Sequence, residues 1–109
     1  MNSDTNEPPE ISCASLLKAL ADETRLAVVQ NLMAKDSLLV NELQTALKIE
    51  QSLLSHHLRL LRNAGIVVSE RDGKAVRYRI APAVEKRRAG DVIDLGCCQL
   101  SFADGGKRL

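Results

Sequence analysis

Apolar residues recur every three or four positions through the first half of the chain, a spacing typical of helices that bury one face. The first such segment begins at Ser12. A second begins at Asp22, whose side chain suits an N-cap, and ends near residues 35–37. The apolar positions of these two segments are Leu16, Leu17 and Leu20, followed by Leu26, Val28, Val29, Leu32 and Met33. The pattern therefore predicts two helices that pack on a common core.

A shorter apolar pattern, Val40, Leu43 and Leu47, predicts a third helix. Residues 48–50 then make a tight connection to a fourth helix, which is predicted for residues 51–63. Two short helices separated by about four residues have the spacing of a helix-turn-helix motif.

Residues 51–63 predict a helix with two contrasting faces. At about 100° per residue, Leu54, Leu58 and Leu61 fall on one side. The opposite arc is polar and consists of Ser52, Ser55, His56, Arg59 and Asn63, with Gln51 and Arg62 at its margin. Gly65 follows as a helix terminator. The leucine side belongs in a core, which leaves the polar side for solvent or for a partner.

Two β-prone runs, residues 66–70 and 75–80, follow this helix and are joined by Arg71-Asp72-Gly73-Lys74. An Asp-Gly pair between such runs is a strong signal for a hairpin with a two-residue turn. Arg71 and Lys74 would lie at the tip of this hairpin, and Arg77 would lie on the returning strand. We therefore predict a mainly α fold with a small β-hairpin beside the helix-turn-helix, in one domain over residues 12–81.

The two ends of the chain lack this regularity. Residues 1–11 contain two prolines and no apolar period, which predicts a disordered tail. Residues 82–109 form a C-terminal segment in which Gly90 and Gly96 discourage a long helix. Residues 92–102 fit either a helical stripe or a short strand, and we favour a strand or an irregular cover.

Composition narrows the class of protein. A chain of 109 residues suffices for one domain, and an apolar content of 45% is typical of a folded chain. No apolar run approaches the roughly 18 residues of a membrane span, and the N-terminus is polar and acidic, unlike a signal peptide. We therefore expect a cytoplasmic protein with no membrane partner. The sequence shows no carboxylate pair, glycine-rich phosphate loop or nucleophile motif, so we expect no enzymatic activity.

The net charge of +1 conceals a segregation of charge along the chain. Residues 1–50 carry eight acidic and four basic side chains, whereas residues 51–79 carry six basic and two acidic ones. A local basic surface attracts a polyanion. Small polar donors on the second helix of a helix-turn-helix can enter the DNA major groove, which is about 12 Å wide, and reach base edges. The sequence therefore predicts binding to double-stranded DNA.

Two alternatives to DNA binding remain open at this point. In the simpler alternative, the polar arc is a helix face that is exposed to solvent and binds no partner. In the other, the domain is a protein-interaction module that binds no DNA, and its basic hairpin meets an acidic protein. Steep weakening of duplex binding with salt would favour the DNA-binding interpretation, because counterions are released from the duplex.

Three stretches of the sequence resemble a known family: LLKALADETRLAVVQNL, VNELQTALKIEQSLLSHHLRLLRNAGIV and ERDGKAVRYRI. Over residues 15–80 they resemble the ArsR/SmtB family of winged-helix repressors, and residues 21–25 together with residues 55–58 are fairly specific to it. The resemblance implies a winged helix-turn-helix fold and a homodimeric bacterial transcriptional repressor that leaves its operator when an inducer binds. Two recognition helices one duplex turn apart, roughly 34 Å, would match an inverted-repeat operator.

The resemblance also implies DNA contacts residue by residue. The implied base-facing residues are Gln51, Ser52, Ser55 and His56. The implied phosphate contacts are Arg59, Arg62, Arg71, Lys74 and Arg77. Phosphate contacts position a protein on DNA, whereas base contacts specify the sequence. His57 falls towards the leucine side of the helix and is predicted to be a core or hinge histidine.

The chain has three cysteines, Cys13, Cys97 and Cys98. An odd number without a secretion signal predicts thiols and not a disulfide framework. The Cys-Val-Cys motif of many sensors in the resembling family is replaced by Leu39-Val40-Asn41, and residues 82–109 contain no histidine for the zinc sites of other members. Three sulfurs without an imidazole suit As(III) or Sb(III). In related dimers the terminal segments meet, which would bring Cys13 to the pair within or across subunits.

We therefore expect a repressor that As(III) or Sb(III) releases from DNA, with no constitutive cofactor. Two other roles for the cysteines stay open. The adjacent pair can be structural, because cysteine packs as a small hydrophobe. Alternatively, thiolates near Lys86, Arg87 and Arg88 can respond to oxidants or sulfane sulfur, forming a bridge from Cys13 to Cys97 or Cys98.

Overall fold

A computed structural model describes residues 12–102 of the chain. The predicted disordered tail, residues 1–11, lies outside the described residues, as do residues 103–109 of the C-terminal segment. The helices are α1 (Cys13–Leu20), α2 (Glu23–Lys35), α3 (Val40–Leu47), α4 (Gln51–Asn63) and α5 (Pro82–Glu85). The strands are β1 (Leu38–Leu39), β2 (Val67–Asp72), β3 (Ala75–Ile80), β4 (Arg88–Ala89), β5 (Val92–Asp94) and β6 (Gln99–Ser101).

Side-chain caps begin the first two helices where the sequence predicts. The Oγ of Ser12 accepts the backbone N–H of Ser15 at 3.2 Å, and Asp22 Oδ2 accepts the backbone N–H of Arg25 at 3.0 Å. Such caps satisfy N–H groups that have no partner inside the helix. The predicted starts of α1 and α2 are confirmed.

The connection between α3 and α4 and the end of α4 both rely on left-handed residues. Lys48, at the end of α3, has a φ of 56° and turns the chain towards α4. Gly65 has a φ of 83°, and its N–H bonds to Arg62 O while the Ile66 N–H bonds to Leu61 O, each at 3.0 Å. This pair of bonds is a Schellman motif, which needs a residue that tolerates positive φ. The recognition helix therefore ends where Gly65 was predicted to end it.

The hairpin forms, but its turn lies one residue later than predicted. Strands β2 and β3 pair with Asp72 opposite Ala75, which leaves Gly73 and Lys74 as the two turn residues. Gly73 has a φ of 68° at the first turn position, the place of glycine in a type II′ turn. Arg71 consequently lies on β2 and not in the turn. The short strand β1 adds to β3 and completes a three-stranded antiparallel sheet in the order β1-β3-β2.

The core is almost entirely aliphatic and lies between the helices and this sheet. Its fully buried members include Val28, Val29, Leu32, Leu43, Leu54, Leu61 and Val67. Leu17, one of the predicted apolar positions of α1, is 39% exposed, and Leu53 on α4 is 46% exposed. The predicted fold class, mainly α with a small hairpin, is confirmed.

The C-terminal segment forms a second antiparallel sheet, in the order β4-β5-β6, which agrees with the strand that we favoured. Ile93 and Leu95 are buried in the common core. Arg88 donates to the Met33 carbonyl at 2.9 Å, and Gln30 donates to the Phe102 carbonyl at 3.3 Å, so the segment is held against α2. Across residues 12–102, no helix combines the length and apolarity that a bilayer crossing requires.

Candidate nucleic-acid interface and cysteine cluster

Helix α4 presents a continuous polar face to solvent. Its buried side consists of Leu54, His57, Leu58 and Leu61. Its exposed residues include all of the predicted contacts on this helix: Gln51, Ser52, Ser55, His56, Arg59 and Arg62. The side chains predicted to face bases therefore occupy the first two turns of α4, which is the end of a recognition helix that enters the major groove.

A groove of about 570 Å³ lies between α4, the start of α3 and the hairpin. Its charged lining residues are Arg59, Arg62 and Lys74, and among the described residues that line it none is acidic. Gln51, Ser55, Asn41 and Gln44 add polar groups to its walls. Ser52, His56, Arg71 and Arg77 do not line it. The groove can accept an anionic chain along one flank of the polar face.

Two of the basic side chains near this groove already have partners within the chain. The Arg77 guanidinium donates to Asp72 Oδ2 at 2.9 and 3.2 Å and to Ser37 Oγ at 3.1 Å. Arg62 Nη1 donates to the Tyr78 hydroxyl at 3.3 Å. Arg77, an implied phosphate contact, is therefore paired with Asp72 in the protein without DNA. An exposed ion pair contributes only about 0–1 kcal/mol, so a phosphate can displace Asp72 at small cost.

A partly buried polar network lies behind the polar face of α4. Arg25 Nη1 lies 3.0 Å from His57 Nδ1, and Arg25 Nε donates to the Ala19 carbonyl at 2.6 Å. Asp22 Oδ2 lies 3.8 Å from the same imidazole nitrogen. The sequence predicts the burial of His57 and the structure confirms it, at 8% exposure. The contact with Arg25 was not predicted, although both residues lie in the stretches that carry the family resemblance.

Burial lowers the pKa of His57, the nearby Asp22 carboxylate opposes this shift, and Arg25 adds to it. The backbone N–H of Arg25 is the main reason that the pKa of Asp22 is also lowered. His57 is therefore neutral at neutral pH. Its Nδ1 accepts from Arg25, which places the ring proton on Nε2.

The free energy of unfolding is expected to fall on acidification from about pH 7.5 to about pH 5.5, because an imidazole with a lowered pKa takes up its proton more readily in the unfolded chain. The stabilisation that neutral His57 provides is fully present above pH 6.5, the ordinary pKa of histidine. It is lost as the pH falls from 6.5 towards the lower pKa that His57 has in the folded chain. Urea unfolding at both pH values measures it. His57→Asn should flatten the dependence, and His56→Gln, a change at the exposed neighbour, should preserve it. An equally steep dependence in His57→Asn would contradict the assignment.

The three cysteines, which are distant in sequence, form one cluster in the structure. Cys13 is the first residue of α1, and Cys97 and Cys98 lie in the turn between β5 and β6. Their Sγ atoms all lie within 4.8 Å of one another. Cys13 and Cys97 are joined as a disulfide with a Cα–Cα distance of 5.9 Å, and Cys98 is an exposed thiol. The pairing differs from the three free thiols that the odd count predicts, and it lies within one chain.

Backbone hydrogen bonds fix the turn that carries two of these cysteines. Gly96 has a φ of 100°, and its N–H donates to Asp94 Oδ1 at 2.8 Å. The Leu95 N–H bonds to Cys98 O at 2.8 Å, and the Cys97 N–H donates to the Cys13 sulfur at 3.3 Å. The turn therefore holds both cysteines against the N-terminus of α1.

Comparisons with known proteins agree with this architecture. Residues 22–69 match the family model "Bacterial regulatory protein, arsR family". The chain is 45% identical over 69 residues to the arsenical resistance operon repressor of Escherichia coli K12, covering 63% of this chain and 59% of that repressor. The chain thus spans about three fifths of the length of this curated relative.

Solved structures show the same fold. HlyU from Vibrio cholerae superposes with a TM-score of 0.60 at 38% identity, covering 62% of this chain and 73% of that one. A homodimeric winged helix-turn-helix DNA-binding domain from Mycobacterium bovis, described as a possible ArsR-family regulator, gives a TM-score of 0.61 at 31% identity. That match covers 64% of each chain.

Proposed function

The chain belongs to the ArsR/SmtB family of winged-helix transcriptional regulators, which are DNA-binding proteins and not enzymes, and on that premise we propose that it is a homodimeric repressor controlled by its cysteine cluster. The proposed inducer is As(III) or Sb(III), bound by Cys13, Cys97 and Cys98. One observation carries this proposal: a winged helix-turn-helix with three sulfurs gathered within 4.8 Å of one another.

In the proposed complex, α4 enters the major groove of the operator. Gln51, Ser52, Ser55 and His56 face the bases, because all four are exposed on the first two turns of the helix. The proposed phosphate contacts are Arg59, Arg62, Arg71, Lys74 and Arg77. The groove supports the phosphate role of Arg59, Arg62 and Lys74, because these are its charged lining residues and none of the described residues that line it is acidic.

A dimer would read two half-sites of an inverted repeat. The homodimeric form of the similar Mycobacterium bovis domain supports a dimer of this chain. The two α4 helices would then lie about 34 Å apart, one duplex turn.

Lys74→Gln is expected to weaken binding to all duplex sequences and to lower the slope of log Kd against log salt by about one, because one phosphate contact is lost. Fluorescence anisotropy with a labelled duplex at several salt concentrations measures this slope. Arg79→Gln is the matched control, since it removes the same charge from a residue that pairs with Glu70 at 3.1 Å and does not line the groove. Equal slope changes in the two variants would exclude Lys74 as a phosphate contact.

Inducer binding requires three thiols, so the Cys13–Cys97 disulfide must first be opened by a dithiol, which supplies two electrons. Arsenous acid then exchanges its three hydroxyl groups for three thiolates, and each hydroxyl leaves as water with one thiol proton. The donor set fits this chemistry, because soft sulfur ligands select thiophilic ions and the cluster includes no imidazole or carboxylate ligand among the described residues. Binding would draw the start of α1 and the β5–β6 turn around one atom.

The disulfide itself favours a second candidate, a redox- or persulfide-responsive repressor. Peroxide would oxidise the thiols of Cys13 and Cys97 to the bridge, taking two electrons and leaving two waters. Cys98 remains a thiol in the structure. Arg88, one of the cations predicted to activate the cysteines, instead pairs with Glu85 at 3.0 Å and donates to the Met33 carbonyl.

The experiment that tests the proposal begins with reduced protein and a pool of randomised duplexes, from which an inverted repeat is expected to be selected. The selected duplex is then bound at fixed salt and titrated separately with arsenite, antimonite, Zn(II) and a polysulfide. Release by arsenite or antimonite alone supports the metalloid repressor. Release by polysulfide alone supports the second candidate, and failure to select any duplex contradicts both.

A further inference from the structure

Helix α1 connects the cysteine cluster to the partly buried network of Asp22, Arg25 and His57 behind α4. Cys13 is its first residue, and the carbonyl of Ala19, in its last turn, accepts the Arg25 hydrogen bond. A helix of eight residues spans about 12 Å. Cys13 and the Ala19 carbonyl, which accepts the hydrogen bond from Arg25, therefore lie at opposite ends of α1.

Arg25 joins α1 to the recognition helix, α4. Its Nε binds the end of α1 and its Nη1 binds His57 on α4, while Asp22 caps α2 at the Arg25 backbone N–H. His57 stands beside His56, whose ring is edge-on to it with the ring centroids 5.4 Å apart. One guanidinium thus bridges α1 to the residue that adjoins the proposed base-reading face.

Arg25 lies at the edge of the contact between α1 and α4. A surface pocket of about 340 Å³, open to solvent, lies between the two helices, and its lining residues include Ser15, Ala19, Arg25, Leu60 and Ala64. Ser15 is exposed and Ala64 is only partly buried. The hydrogen bonds of Arg25 to the Ala19 carbonyl and to His57 are therefore a polar link between the two helices beside this pocket.

We propose that Arg25 is the positioning residue that transmits the state of the cysteine cluster from α1 to α4 through His57. This inference rests on the proposed function, that is, on control of duplex binding by the cluster. A shift of α1 at Cys13 moves the Ala19 carbonyl, and the planar guanidinium passes that movement to the imidazole. Lysine cannot replace it, because a single ammonium lacks the fixed fork that reaches both acceptors.

The test measures, for each variant, the ratio of duplex Kd with and without arsenite, so that a change in basal affinity cancels. The reduced wild-type protein should show a ratio of roughly 5–150, the range of ordinary allosteric couplings. Arg25→Lys and His57→Leu should bring the ratio to within about threefold of unity. His57→Asn should keep most of the coupling, because the asparagine Oδ1 can accept near the position of Nδ1. Arg79→Lys is the matched control and should match the wild type.

Thermal unfolding of each variant shows whether the fold persists, and arsenite binding measured by mass confirms that the cluster is loaded. Loaded, folded Arg25→Lys and His57→Leu that retain the wild-type ratio would overturn the relay while leaving the proposed function intact. Wild-type coupling in His57→Leu, with coupling lost in Arg25→Lys, would show that the Nδ1 acceptor of His57 is not the link. A wild-type ratio of one would overturn the proposed function and the relay together.

Discussion

Cys98→Ser is expected to bind its duplex normally and to lose release by arsenite, which in the wild type should weaken binding roughly 5–150-fold. Cys98 is exposed, lies between β5 and β6 and does not line the cationic groove, so its removal should leave DNA binding intact. It supplies the third sulfur of the cluster, and two remaining thiols form a weaker, incomplete ligand set for a trigonal ion. Arsenite titration of the preformed complex, followed by anisotropy, measures the effect.

The same variant separates the two candidate functions. The disulfide joins Cys13 and Cys97. Peroxide should therefore still form this disulfide in Cys98→Ser and should not form it in Cys13→Ser. Normal arsenite release from Cys98→Ser would contradict the three-sulfur site. Retention of a full peroxide response in Cys13→Ser would contradict the disulfide as the redox element.

Ser55→Glu is expected to weaken duplex binding by roughly 100-fold or more, because it places a carboxylate in a groove proposed to hold phosphate and at a position proposed to face a base. Ser55 is exposed, so the free energy of unfolding should change by less than about 0.5 kcal/mol. Anisotropy at fixed salt gives the affinity, and urea unfolding gives the stability.

Thr45→Glu is the matched control for this charge change. Thr45 is exposed on α3 and does not line the cationic groove, so the same added charge should weaken binding only a fewfold. Equal losses in Ser55→Glu and Thr45→Glu would show that net charge, and not the groove, determines the affinity.

Local signals in the sequence predicted most of the DNA-reading half of the fold. Asp22 and Gly65 act through hydrogen bonds to residues within a few positions, so their effects on helix ends can be inferred without tertiary information. The hairpin was predicted but its turn was displaced by one residue. Asp-Gly suits the common type I′ turn, whereas pairing of β2 with β3 through Asp72 moved Gly73 to the first turn position.

Contacts between distant segments account for what the sequence did not predict. Arg25 and His57 are 32 residues apart, and each is ordinary in its own helix. The disulfide joins residues separated by 84 positions, so its partner choice depends on how the C-terminal sheet docks on α2. Leu17 matches the apolar period of α1 and is nevertheless 39% exposed, because periodicity shows which side of a helix is apolar and not how far the core extends.

Control of duplex binding by the cysteine cluster is tested by an arsenite titration of the reduced wild-type protein bound to its selected inverted-repeat duplex at fixed salt. If the cluster controls the recognition helix, the duplex should be released as each cluster of three sulfurs binds one As(III) atom. A duplex that stays bound after the protein mass shows this loading would contradict control of DNA binding by the cysteine cluster.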